Sequence, residues 1–465
     1  MVIKVENLGT LKTAETDLSK NLIVYSGKNN SGKTYMLNLV YGLMSFSNPS
    51  LTIYTQILNF PDYLSKLDQQ HKISLNVWDF YERQGFKQQI ITAYLKEFYE
   101  NINNIFASTL PFLKLNIELN TNSNWQISEL QQDISIERPF GNSWENGMIS
   151  LKGNFELLFE IFPINNPTYK PSPQEVLKNR AKTLIRTVLF PTLYYSIFNF
   201  RLPNFFTSER VASLMFGKEI YKYNAQNNLQ NFNFDTTKNN TYSKSLLKEL
   251  EYINNFDIYR TRLSDYGYLA DELETLIGGK ISANQDGLLL FKEGRTSHLV
   301  TNSSSTVKSL ATLVFYLRHT AQKGDCIMID EPELSLHPDN QRKIARFLAR
   351  CVNEGFKVII STHSDYIINE INNLITLHKH KNTNRTKSLM KKYDYKDNQT
   401  LDYQQVGAYL FKDNHCAKIE VGETGFSVET IDEAMGNLYK ASDSIFLNSE
   451  VENTKLEPSN NNKDE

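Results

Sequence analysis

Gly27-Lys28-Asn29-Asn30-Ser31-Gly32-Lys33-Thr34 is the stretch on which the reading of the whole chain turns. It satisfies G-x-x-x-x-G-K-[ST] at every fixed position. Glycines at both ends of the loop let the backbone curl, so that successive N–H groups, from Gly27 through Asn29, Asn30, Ser31 and Gly32, face an anion. Lys33 is placed to reach the β- and γ-phosphates of a nucleotide, and Thr34 offers a hydroxyl to Mg²⁺. Immediately upstream, Leu22-Ile23-Val24-Tyr25 is a short, continuously apolar run and predicts a buried strand. Downstream, Met36, Leu37, Leu39, Val40 and Leu43 fit a helix with one broad apolar face. The motif thus has the strand before it and the helix after it that its chemistry needs. The helix adds its positive N-terminal end to the anion site.

Two further segments point to the same site. Cys326-Ile327-Met328-Ile329-Asp330-Glu331-Pro332 is an apolar strand that ends in two acids. Asp330 is positioned to hold the Mg²⁺ shell, and Glu331, one residue on, to orient and deprotonate an attacking water. Lys357-Val358-Ile359-Ile360-Ser361-Thr362-His363-Ser364 is another apolar strand ending in polar residues. His363 there can hydrogen-bond a γ-phosphate and report whether ATP is intact. The interval between Glu331 and His363 leaves room for one helix, from Asn340 to Glu354, between two parallel strands. Such an order places Asp330, Glu331 and His363 on the same C-terminal sheet edge as the phosphate loop.

Together the three motifs resemble those of the ABC-type ATPase superfamily, with its SMC-like, RecF-like and OLD-like heads. The resemblance sharpens at Asp330-Glu331-Pro332-Glu333-Leu334-Ser335-Leu336-His337-Pro338, which is similar to the Walker B and D-loop of the AAA_15/AAA_21 group. That group supplies ATPase subunits of anti-phage systems such as Septu, PARIS, retron-linked modules and OLD nucleases. Ser361 to Ile375 resembles its His switch and following helix, and Thr430 to Asp443 its C-terminal helix. The resemblance covers residues 1–44 and about 200–446. It implies an α/β fold: an ABC-type P-loop head, with a mixed sheet, flanking helices and an antiparallel β subdomain.

The family's signature element has a candidate in Asn302-Ser303-Ser304-Ser305-Thr306-Val307-Lys308. The serine run also N-caps a helix whose Val307, Leu310, Leu313, Val314 and Leu317 share one face. The resemblance implies that Ser303, Ser304 and Ser305 bind nucleotide, with Ser304 and Ser305 on the γ-phosphate held by a second subunit. Each chain then carries half of each site, and ATP joins a homodimer that can be the unit of a higher oligomer. Thr306 stands where the family usually has glycine, and its β-carbon is expected to weaken or slow clamping. Phe205 to Arg210 resembles the family's strand ending in P-x-x-R without the proline. It is one candidate for the Q-loop; Gln56 and Gln69 are others.

Between the two halves of the expected head (1–44 and 201–450) lies an insertion, 45–200, expected to be an α+β interaction domain. Gln88 to Phe106 has helical spacing, and Leu115–Leu119, Asp133–Glu137 and Met148–Leu151 alternate as in a small β-meander. Its aromatics, Trp78, Tyr94, Phe98, Tyr99, Trp125 and Trp144, suit either its own core or a protein contact. It is the expected docking element for a partner or for neighbouring dimers, because signals usually enter through elements grafted on a shared engine. Ser243 to Leu276 reads as helical with a break near Asp265. Thr187 to Phe200 reads as a buried helix, too short for a bilayer. Residues 451–465 read as a disordered tail. The basic stretch His378 to Lys392 reads as a solvated loop or a contact for DNA phosphates.

Composition sets the outer bounds. The chain has 465 residues, and its Lys+Arg count of 50 against Asp+Glu 52 excludes nucleic-acid binding by bulk charge. Cys326, Cys351 and Cys416 form no C-x-x-C pair, which fits a reducing cytoplasm and supports neither a disulfide framework nor a zinc site. The N-terminus has no apolar signal segment. No TOPRIM-like strand followed by D-x-D comes after His363, so the chain reads as an ATPase without its own nuclease. The resemblance to the AAA_15/AAA_21 group then implies a Mg²⁺- and ATP-dependent subunit of a defence complex. It controls a separately encoded nuclease or toxin, with DNA or a phage protein as trigger and no membrane involved. The alternative is a RecF- or SMC-like ATPase of DNA repair or maintenance, although no sustained heptads argue for coiled-coil arms. A transporter subunit is disfavoured by the long separation of Lys33 from Ser303.

Overall fold

The computed structural model describes residues 1–45, 72–76, 95–96, 98–99, 102–106, 113–118, 134–139, 146–151, 156–161, 203–230 and 242–455. Its centre is a nine-stranded sheet. The strands are β1 (Val2–Leu8), β2 (Leu11–Asp17), β3 (Leu22–Gly27), β5 (Lys114–Glu118), β9 (Pro203–Phe206), β13 (Cys326–Asp330), β14 (Lys357–Thr362), β15 (Val406–Lys412) and β16 (His415–Ile419). Their spatial order is β5-β1-β2-β16-β15-β3-β14-β13-β9. From β15 to β9 every neighbouring pair is parallel. The other half is built largely from antiparallel pairs: β1 with β2, β1 with β5, and β15 with β16. The sheet is mixed, as the sequence implies.

The continuous apolar runs explain the parallel half. A strand covered on both faces needs apolar residues on both. In β3, Leu22 and Val24 enter one core while Ile23 and Tyr25 enter the other. Ile327 and Ile329 of β13 join the first core, and Cys326 and Met328 the second. The first core is closed by helices Gly267–Ile277, Ser305–His319, Pro338–Asn353 and Asp365–His380. The second is closed by helix Lys33–Ser45, which follows the phosphate loop, and by Ile102 and Ile105 of helix Ile102–Phe106. Helix Pro338–Asn353 joins β13 to the adjacent parallel β14, the βαβ unit expected from the spacing.

Two smaller antiparallel sheets accompany it. One is β10 (Lys280–Ala283), β11 (Leu289–Glu293) and β12 (Thr296–Leu299). The other has the order β4-β8-β7-β6, from Lys72–Asn76, Glu156–Ile161, Asn146–Leu151 and Ile134–Pro139. The meander therefore exists, but without the segment at Leu115. Lys114–Glu118 pairs with β1 as the edge of the large sheet, because Leu115 buries in the second core beside Val5.

Other expectations shift. The helical stretch after Ser243 does break near Asp265, between Phe256–Tyr259 and Gly267–Ile277, and it breaks a second time at Asn255, after Lys244–Asn254. The basic stretch is helical rather than a loop. His378, Lys379 and His380 end helix Asp365–His380, and Lys391 and Lys392 end helix Asn384–Lys392, which buries Thr386 and Met390 and exposes its cations. The C-terminal helix Glu429–Lys455 runs through Val451, where the tail was expected to begin. The helix read at Thr187 to Phe200, the candidates Gln56 and Gln69, and residues 456–465 lie outside the described residues. Among the described residues no helix is long and apolar enough to cross a membrane.

Candidate functional site

β3, β14 and β13 lie side by side and parallel, so their C-terminal ends share one sheet edge. The phosphate loop leaves β3 there. Its curl depends on left-handed backbone at Gly27 (φ 145°), Asn30 (φ 61°) and Gly32 (φ 99°). A β-carbon at Gly27 would lie 2.3 Å from the Phe411 carbonyl oxygen, so only glycine fits. Lys33 Nζ folds back to donate to the Gly27 and Lys28 carbonyls, 2.9 Å each. Burial holds its ammonium below the usual lysine range, opposed by the charges of Glu331, Asp330 and Glu333. Ser31 Oγ is buried within the loop without a hydrogen-bond partner. A phosphate oxygen meets both demands, for a third acceptor at the Lys33 ammonium and a first partner at Ser31.

Asp330 ends β13, almost fully buried. Thr34 Oγ1 donates to its Oδ2 at 2.9 Å, and Ser361 Oγ, directly opposite in the β13–β14 register, donates to its Oδ1. Burial pushes this carboxyl above the ordinary aspartate range, while the Ser361 and Thr34 bonds pull it down. A hydroxyl and a carboxylate converging beside a phosphate loop are a fit donor set for Mg²⁺, a hard cation that takes oxygen ligands. Groups of three or more His, Cys, Asp or Glu that could hold a metal by themselves are absent among the described residues.

Glu331 follows in left-handed backbone, φ 51°, unusual for a residue with a side chain. Its N–H donates to Ser361 O and Oγ, at 3.1 and 3.2 Å. Its Oε1 lies 3.6 Å from His363 Nδ1. Glu333 approaches the same ring from below. Its Oε1 accepts from the His363 N–H at 2.9 Å and from Thr362 Oγ1 at 2.8 Å, and lies 3.4 Å from Nδ1. Glu333 Oε2 is buried with no partner.

Thus Gly27 through Thr34, Asp330, Glu331 and His363 gather at one sheet edge. The serine run does not join them by any hydrogen bond among the described residues. Ser303 Oγ contacts His298 Nε2 at 3.1 Å, Ser304 Oγ caps helix Ser305–His319 by accepting from Val307 N–H, and Ser305 is exposed. Thr306 Oγ1, in place of the family's glycine, donates to Ser335 O of the loop after Glu331. The Phe205–Arg210 segment runs against the acids from below the sheet edge: Arg210 bonds the Asp330 and Glu331 carbonyls, and the Glu209 charge adds to the upward push on the Asp330 carboxyl. β9 is an edge strand and Arg210 is buried beneath the acids, where burial lowers its guanidinium's proton affinity.

Sequence reasoning missed the supporting residues Ser361, Glu333 and Arg210. The signal for Ser361 was available, since two adjacent parallel strands ending in polar residues put Ser361 beside Asp330. For Arg210 the strand motif that ends in it gave a place but no role, because three of its partners, the Ser309, Asp330 and Glu331 carbonyls, lie far along the chain.

The family model described as AAA ATPase domain, AAA_15, matches residues 1–368. It runs through residues 45–200, outside the resemblance drawn from the motifs, and stops short of 369–446, inside it. The search of curated proteins finds no match. Among solved structures, the SMC head bound to the C-winged helix domain of ScpA is 10% identical with a TM-score of 0.35, covering 90% of this chain and 96% of that one. The SMC head domain from Thermotoga maritima is 10% identical with a TM-score of 0.30, covering 90% and 98%. A Smc head with an extended coiled coil bound to the C-terminal domain of ScpA, derived from Pyrococcus furiosus, is 11% identical with a TM-score of 0.30, covering 95% and 98%. With its motifs gathered at one sheet edge and the family match spanning most of its length, this chain belongs to the AAA_15 family of AAA ATPase domains.

Proposed function

We propose that the chain hydrolyses ATP with Mg²⁺ at this edge, as one half of a nucleotide-joined pair, and that its cycle controls a separately encoded effector of a prokaryotic anti-phage complex. The observation that carries the catalytic part is the placement of Glu331, one residue past Asp330 and beside His363, next to the phosphate loop. The loop N–H groups, Ser31 and Lys33 bind the phosphates. Thr34 Oγ1 and the Asp330 carboxylate would hold the Mg²⁺, which when bound neutralises charge on the phosphate oxygens. Glu331 takes a proton from the attacking water, and its backbone geometry, anchored through Ser361, fixes where that carboxylate starts. His363, held by Glu333, contacts the γ-phosphate and loses that contact on hydrolysis.

Pairing rests on the resemblance of Ser303 to Ser305 to a signature element that meets the nucleotide of a second subunit, and the exposure of Ser304 and Ser305 supports it. Light scattering of the Glu331→Gln protein tests this. Mass should double on adding ATP, and a monomer in both conditions refutes the pairing.

The effector proposal rests on the resemblance at Asp330 to Pro338 and on the lack of a second catalytic motif in the sequence. The small sheet β4-β8-β7-β6 is the proposed docking element. Deleting 46–169 outright would strip β5 from the large sheet and Ile102–Phe106 from the phosphate-loop helix. A shorter deletion, 119–169, spares both. It should retain ATP binding and lose co-purification with the neighbouring gene product. Retained co-purification, broken instead by charge reversal at Lys387, Lys391 and Lys392, moves the partner surface to the basic helix.

A further inference from the structure

Arg210 is among the most buried charges in the protein, at 2% exposure. It donates four hydrogen bonds to backbone carbonyls. Nε donates to Ser309 O at 3.1 Å, Nη1 to Thr207 O at 3.0 Å and to Asp330 O at 2.9 Å, and Nη2 to Glu331 O at 2.8 Å. These acceptors belong to three separate elements. Thr207 follows β9, Ser309 lies in the second turn of the helix capped by Ser304, and Asp330 ends β13 with Glu331 the residue after it.

A buried guanidinium is costly and stays where its donors are satisfied. Its planar fork fixes the directions of five N–H groups, so carbonyls bound to it are fixed relative to one another. The Glu331 peptide is gripped at both ends, with its N–H on Ser361 and its C=O on Arg210. Left-handed backbone at a glutamate costs free energy and persists only where the surroundings over-determine it. The same guanidinium that supplies this grip also holds the serine-capped helix.

We propose that Arg210 is a positioning residue that sets the direction of the Glu331 carboxylate and ties it to the helix bearing Ser303 to Ser305. Movement of that helix, when its serines engage a nucleotide on a second copy of the chain, is passed through one rigid group to the residue that activates water. Arg210 touches neither nucleotide nor water; it acts through Glu331. The inference rests on the proposed role of Glu331 as base.

The test is a double-mutant cycle on the full-length chain, with ATP affinity and single-turnover hydrolysis measured separately. Arg210→Lys keeps a charge but cannot span three elements from one ammonium. It should hold ATP within about threefold of wild type while hydrolysis slows roughly 10- to 100-fold, the scale of a misdirected catalytic group. Combined with Glu331→Gln it should add less than about twofold, since two residues acting as one unit are not additive. Losses that multiply, or an ATP affinity that falls in step with turnover, overturn the proposal while leaving Glu331 as base. Unchanged hydrolysis in Glu331→Gln alone removes the base and this inference with it. If Arg210→Lys does not fold, amide hydrogen exchange of the wild-type chain decides. A non-hydrolysable ATP analogue should slow exchange at Glu331 and over Ser305 to Leu310 together. Slowing confined to the phosphate loop overturns the proposal.

Discussion

Glu249 offers a quantitative test of how the ground beneath the site is built. It lies on helix Lys244–Asn254, buried at 4% exposure, with its Oε2 accepting from Thr207 Oγ1 at 2.6 Å. Burial pushes its carboxyl from the ordinary 4.5 up to about 7, against the pull of the Thr207 bond and the nearby Arg210 charge. Below pH 4.5 folded and unfolded chains both carry the proton. Between 4.5 and 7 the unfolded chain loses it and the folded chain keeps it, so stability falls as pH rises through this window. A shift from 4.5 to about 7 corresponds to a loss on the order of 3 kcal/mol, complete above pH 7. Glu249→Gln keeps an acceptor for Thr207 and removes the titration. In urea denaturation at pH 8 the variant should be more stable than wild type by up to that amount, a midpoint shift of about 1 M at the upper end of ordinary m-values. At pH 4.5 the two should agree within about 1 kcal/mol. A variant less stable than wild type at pH 8 would show that the Arg210 charge compensates an ionised Glu249, and the reasoning would be wrong.

Two further substitutions probe the loop and the metal shell. Gly32 has φ 99°, and a β-carbon there would meet Leu11 Cγ at 2.5 Å, so Gly32→Ala should cost about 1–3 kcal/mol in stability and weaken ATP binding measured by a fluorescent analogue. Unchanged binding would mean the loop adopts another shape. Ser361→Ala removes the donor to Asp330 Oδ1, leaves a buried carboxylate short of a partner at about 1–3 kcal/mol, and lets its proton affinity rise. A magnesium titration at fixed ATP should then need several-fold more Mg²⁺ for half-maximal turnover, and an unchanged titration would separate Ser361 from the metal shell.

The parts of the site carried by local chemistry were legible in the sequence. Gly27 to Thr34 fixes a loop whose backbone must be left-handed at glycine, and the two apolar runs ending in Asp330 and Thr362 could hardly be anything but buried parallel strands. What the sequence hid is non-local. Lys114–Glu118 alternates like any meander strand, and only the exposed edge of β1 decides which sheet it joins. The helix at Asn384–Lys392 was obscured by its charge, since two buried residues, Thr386 and Met390, suffice to dock it. Arg210 was quoted only as the end of a strand motif. Its role depends on carbonyls about 100 and 120 residues away, which no pattern of side chains encodes.

Glu331 is where the account is most exposed. Single-turnover hydrolysis and equilibrium ATP binding, measured side by side on wild-type and Glu331→Gln protein with Mg²⁺, test it directly. Replacing a general base should lower the hydrolysis rate roughly 100- to 10,000-fold while ATP affinity stays unchanged or tightens. Hydrolysis at the wild-type rate in the Gln variant would contradict the account, because the arrangement of Asp330, Ser361, His363 and Arg210 around this residue would then serve some other chemistry.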